Sequence, residues 1–66
     1  MRTSVTPLYA VMIKTRYARY LPEVWITDTT ETDANKAYQR GREINPLGIG
    51  WTVVEYHSQE WERLVR

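Results

Sequence analysis

The chain contains one continuous apolar run, Leu8-Tyr9-Ala10-Val11-Met12-Ile13, and none longer. That is far short of the roughly 20 apolar residues that span a bilayer. It is also shorter than an ordinary buried helix. Both of its alternating faces are apolar, and it is rich in β-formers. The pattern predicts a central strand covered on both sides. Pro7 is tolerated at its start, because the first strand position need not donate a ladder hydrogen bond. The rest of the chain has to be arranged around this strand.

Leu21-Pro22-Glu23-Val24-Trp25-Ile26-Thr27 reads as a second strand, with Val24 and Ile26 on one face and Trp25 and Thr27 on the other. Pro22 makes it an edge strand, since proline lacks the N–H that an inner ladder uses. The intervening Arg16, Tyr17, Ala18, Arg19 and Tyr20 form the tip of a hairpin or a continuation of both strands.

Asp28-Thr29-Thr30-Glu31-Thr32-Asp33 reads as a helix start, because these side chains accept from or favour the free N–H groups of a first turn. Thr30 and Asp33 have the spacing of a capping box. The predicted helix then lays Ala34, Ala37, Tyr38, Gly41 and Ile44 along one stripe. Gly41 costs about 1 kcal/mol in helix propensity, so close packing is its expected compensation. Asn45-Pro46 ends the helix, because the residue before proline avoids the α region.

Leu47-Gly48-Ile49-Gly50 reads as a turn. Trp51 to His57 is dense in β-branched and aromatic residues and reads as a third strand. Ser58 is placed to cap a short final helix that carries Trp61, Leu64 and Val65 on one side. A fourth strand over residues 60–65 is the alternative.

The order is β-β-α-β, and geometry narrows its topology. A hairpin reverses the chain, and the helix carries it back. Strand three is therefore antiparallel to strand one, and the spatial order 2-1-3 makes every neighbouring pair antiparallel. The expected fold is α+β: one small domain over residues 1–66, a three-stranded antiparallel sheet with one helix on one face. The other face has only the last residues to cover it, and an apolar face left bare marks an interface.

Composition removes whole classes of function. The chain has 66 residues and no cysteine, so a disulfide scaffold, a Cys-ligated zinc site and a cysteine nucleophile are all excluded. A secreted chain this short would ordinarily carry such staples, so the expected compartment is the cytoplasm. Residues 1–7 show no apolar leader core. A core of this size supplies only about 3–5 kcal/mol, which makes association the remaining staple and a homodimer the simplest expectation.

Nine basic and eight acidic residues nearly cancel, yet they alternate in blocks. Residues 1–20 carry four bases and no acid, residues 21–35 four acids and no base, and residues 36–42 three bases and no acid. One reading is a basic edge of Lys14, Arg16 and Arg19, joined by Lys36, Arg40 and Arg42, with Tyr17 and Tyr20 placed to stack on bases. That mixture suits single-stranded nucleic acid. The other reading is that the blocks pair with each other on the surface. It is favoured by a pI near 8.1, well below that of a dedicated nucleic-acid binder.

All eight aromatics are Tyr or Trp, residues that combine contact area with a polar handle. Trp25, Trp51, Trp61, Tyr17 and Tyr20 are the candidate partner-binding anchors. Any one Trp can equally fill a core that has no Phe.

Enzymatic signals are weak. His57 and Glu55 would share a strand face, but two groups make no catalytic or metal site. Asp28, Glu31 and Asp33 match no calcium loop and fit helix capping better. Gly48-Ile49-Gly50 is too short to cradle a phosphate. No cofactor and no metal is expected.

In size, lack of cysteine and β-β-α-β order, the chain resembles the small orphan proteins of bacteriophages and mobile elements. Many of those are inhibitors that dock on a host protein. The resemblance covers no motif and carries no residue assignment. The expected function is a non-enzymatic protein-interaction module of that inhibitory kind. It would occlude a host protein through an exposed sheet face and Trp/Tyr anchors. A nucleic-acid binder using Lys14, Arg16, Arg19, Arg40 and Arg42 is the alternative.

Overall fold

The structure is a computed structural model and describes residues 7–66. Residues 1–6 of the segment read for an apolar leader core, among them the first basic residue, Arg2, lie outside the described residues. The elements follow in the order β1 (Tyr9–Thr15), β2 (Val24–Glu31), α1 (Ala34–Ile44), β3 (Trp51–Glu55) and α2 (Gln59–Val65). The strands form one sheet in the order β2-β1-β3, with both pairings antiparallel. This is the predicted 2-1-3 arrangement, and the apolar run supplies its central strand. Among the described residues, no helix is long and apolar enough to cross a membrane.

Burial follows the run closely. Ala10, Val11 and Met12 are fully buried, consecutive residues that point to opposite faces. Such a triplet needs cover on both sides, and two helices provide it. On one face α1 lies across all three strands, with Ala37 and Gly41 buried against the sheet. Val11, Ile13, Trp51 and Val53 belong to this face. On the other face Ala10, Met12 and Val54 form a cluster against which Trp25, Tyr56, Trp61 and Leu64 pack. Trp61 and Leu64 come from α2, so the final helix covers part of the face expected to be bare.

Polar contacts lock the second helix in place. Ser58 Oγ accepts from the Trp61 backbone N–H at 3.2 Å and donates to the Glu55 carbonyl at 2.5 Å. It therefore caps α2 and ties the cap to the end of β3. The Trp61 indole N–H donates to Thr27 Oγ1 at 2.9 Å, and the Thr27 hydroxyl donates to Met12 Sδ at 3.4 Å. This short chain of contacts satisfies the one polar atom that a packed Trp must place.

The structure revises three boundaries. β2 begins at Val24 and runs on to Glu31, so Pro22 lies in the hairpin loop and Thr29–Glu31 are strand, not helix cap. Threonine is β-branched, and pairing with Tyr9–Val11 outweighs its capping tendency. The cap of α1 is Asp33, whose carboxylate accepts from the Asn35 N–H at 2.8 Å. β3 stops at Glu55, and His57 has a left-handed backbone with φ 64°. Glu55 and His57 therefore do not share a strand face. The His57 ring instead lies 4.1 Å from that of Tyr56 and 4.6 Å from that of Trp61.

Candidate interaction surface

Topology gathers three chain segments at one end of the sheet. β1 ends at Thr15 and β2 starts at Val24, so the 16–23 loop projects there. α1 runs toward this end and delivers Arg42, Ile44 and the 46–50 turn. The Lys14 N–H donates to the Gly50 carbonyl at 2.9 Å, which fastens that turn beside the hairpin. The loop tip is itself a turn, closed by the Leu21 N–H donating to the Ala18 carbonyl at 3.0 Å.

Local chemistry explains why these segments stay outside the core. Asn45 ends α1 with its N–H on the Gly41 carbonyl, and its side-chain oxygen accepts from the Leu47 N–H at 2.9 Å. Its carbonyl accepts from both the Gly48 N–H and the Trp51 indole N–H. Gly48 and Gly50 have φ of 76° and 83°, a region glycine adopts without a steric penalty. The turn thereby folds back to β3 while Leu47 and Ile49 face outward.

The exposed apolar and aromatic groups at this end are large. Tyr20 is 87 % exposed, Leu47 81 %, Tyr17 72 % and Ile49 67 %. Leu21 at the loop tip and Ile44 at the end of α1 are also exposed. Of the five expected anchors, only Tyr17 and Tyr20 belong to this surface. Trp51 packs under α1 and Trp61 under α2. Trp25 is half-buried on the α2 face, with Lys14 Nζ 5.5 Å from its ring centroid. In the sequence, Leu47 and Ile49 stand out only as part of a turn. Their signal was alternation with glycine, which leaves an apolar side chain no element face on which to bury.

The basic residues divide in the same way. Lys14, Arg16, Arg19 and Arg42 lie at the hairpin end. Arg16 is within 3.8 Å of Glu23 across the loop, with both side chains half exposed, so this is a screened surface contact. Arg40 sits farther back along α1, where its Nε donates to Asp28 Oδ2 at 3.0 Å. The β1–β2 register shifts between Val11 and Met12, leaving Asp28 as the extra residue of a bulge on β2. A bulge re-aims a side chain, and here it turns Asp28 toward α1. The hydrogen bond that Asp28 accepts, aided by its charge and that of Glu43, raises the Arg40 pKa above its ordinary value. Arg40 stays half exposed and paired with Asp28, set back along α1 from the hairpin group.

Acidic groups gather at the opposite end, where Glu31, Asp33 and Glu55 stand at the ends of β2 and β3 and the start of α1. The separation is partial: Lys36 lies in the first turn of α1 at the acidic end, away from the hairpin cations, and Glu23 and Glu43 lie at the hairpin end. No group of three or more His, Cys, Asp or Glu residues suited to a metal exists among the described residues. Comparison with family models, curated proteins and solved structures gives no match.

Proposed function

We propose that this chain is a non-enzymatic protein-interaction module whose contact surface is the hairpin end of the sheet. The supporting observation is the convergence there of exposed Tyr17, Tyr20, Leu47 and Ile49. Tyr supplies contact area with little rotamer entropy, and flanking apolar side chains exclude water around it. Lys14, Arg16, Arg19 and Arg42 rim the patch, so the partner surface it fits is apolar at its centre and acidic at its margin. An inhibitor that occludes a cytoplasmic protein is the form of this reading closest to the chain's size. Parallel pull-downs test it, with the intact chain and a Tyr17→Ser, Tyr20→Ser, Ile49→Ser variant as baits. The reading expects a stoichiometric partner on the intact bait and its loss on the variant. Equal retention by both, or no partner on either folded bait, refutes it.

The same four cations favour a second reading, single-stranded nucleic acid held by the basic rim with Tyr17 and Tyr20 stacking on bases. Such binding would weaken steeply between about 50 and 200 mM salt as phosphate contacts release counterions. Replacing Arg16 and Arg19 with Glu would abolish it. Oligonucleotide affinity unchanged by either treatment removes this reading.

A further inference from the structure

The two edges of the sheet are built differently. β2 is guarded: Pro22 precedes it, a bulge at Asp28 interrupts it, and Asp28 and Glu31 charge it. These are devices that stop strangers from pairing with an edge. β3 has no proline and no bulge. Trp51-Thr52-Val53-Val54-Glu55 is regular, lacks Pro, Lys and bulge, and carries one charge at its end. Among the described residues, no strand pairs with its outer side.

The ladder shows which groups are left over. The Lys14 N–H donates to Gly50 and the Tyr56 N–H donates to Leu8, so β1 bonds the even-numbered residues of this segment. In an antiparallel pair, the alternate residues point their N–H and C=O groups away. Trp51, Val53 and Glu55 therefore direct theirs outward.

We infer that the outer edge of β3 is a self-association site that pairs antiparallel with β3 of a second copy. A two-fold axis through Val53 sets Val53 against Val53, Trp51 against Glu55 and Thr52 against Val54. This register uses all five residues. It also matches every outward-pointing residue with another, so each such pair exchanges both of its hydrogen bonds. Val53 meeting Val53 is a β-branched pair of the kind that stabilises sheets.

The charges beside the edge are self-complementary under the same axis. Glu60 and Arg63 of α2 line a shallow groove with Thr52, Val54 and Leu64. α2 starts beyond the Glu55 end of β3 and runs back over the sheet, so along the groove Glu60 comes before Arg63. The two-fold brings Glu60 of one copy toward Arg63 of the other, and the reverse. A second copy is therefore the occupant whose charges and hydrogen-bond register both fit. The pairing yields one continuous six-stranded sheet, with the two hairpin ends at opposite poles.

Sedimentation equilibrium of the intact chain tests this, with Val53→Pro as the probe. Among the described residues the Val53 N–H bonds nothing within the copy, so proline there removes no ladder bond between β1 and β3. The expected result is twice the 7.9 kDa chain mass for the intact protein and the chain mass for the variant. A monomeric intact chain, or a dimer that survives Val53→Pro, overturns the inference. Should the variant fail to fold by circular dichroism, amide exchange of the intact chain decides. Slow, concentration-dependent exchange at Trp51, Val53 and Glu55 supports the pairing, and exchange as fast as in the 16–23 loop overturns it. Glu60→Arg and Arg63→Glu should each weaken the dimer and together restore it, and an unchanged dimer in both single variants overturns the proposed register.

Discussion

Gly41 faces the six-membered ring of Trp51 so closely that a β-carbon added there would overlap the ring. The contact joins the middle of α1 to the first residue of β3. Tyr38, one turn earlier on α1, meets the same indole edge-on at 6.2 Å between centroids. The Trp51 indole N–H donates to the Asn45 carbonyl at 2.9 Å, just past the end of α1. One Trp therefore sets how near α1 lies to the sheet and where the 46–50 turn returns.

Gly41→Ala follows directly as a test. Alanine would gain about 1 kcal/mol of helix propensity over glycine in an exposed helix. Here overpacking against the indole costs about 1–3 kcal/mol and outweighs that gain. Urea unfolding should show a net loss of stability, and a gain would contradict the packing described.

The second helix rests on Trp61 and its hydrogen bond to Thr27. Thr27→Val keeps the shape but leaves a partly buried indole N–H without a partner, at a cost of about 1–3 kcal/mol. Thr27→Ser retains the hydroxyl and should cost less. Thermal denaturation of the two variants side by side would show this order, and the reverse order would contradict the assigned bond.

The loop tyrosines behave differently. Tyr17 and Tyr20 are exposed and make no packed contact with the sheet, so Tyr17→Ser and Tyr20→Ser should change stability by less than about 0.5 kcal/mol. Retained stability combined with lost partner capture separates a binding role from a structural one. Substantial destabilisation in urea titrations would place these side chains in the fold instead.

Sequence reasoning carries far where a residue's role is local to its element. The fully apolar run placed β1 in the centre, and the Ala34–Ile44 stripe with its glycine located α1 and its close approach. It fails where two tendencies of one residue type compete. Thr29 and Thr30 can cap a helix or extend a strand, and the partner strand Tyr9–Val11 decides. The bulge at Asp28 is a property of two strands together, so neither strand alone reveals it. The aromatics divide for a similar reason. Trp51 and Trp61 are structural because a glycine and a threonine distant in sequence receive them. Tyr17 and Tyr20 have no such receiver. The surface that remains is assembled from the 16–23 loop and the 46–50 turn, segments that only the β1–β3 pairing brings together.

The most direct test of the hairpin-end surface is site-specific photo-crosslinking in cells. A photoreactive phenylalanine analogue placed at Tyr20 is compared with the same group at Lys36, an exposed position in the first turn of α1 at the opposite end. The account predicts a discrete protein adduct from position 20 and none from position 36. An adduct from position 36 alone, or none from position 20 in a folded chain, would contradict it.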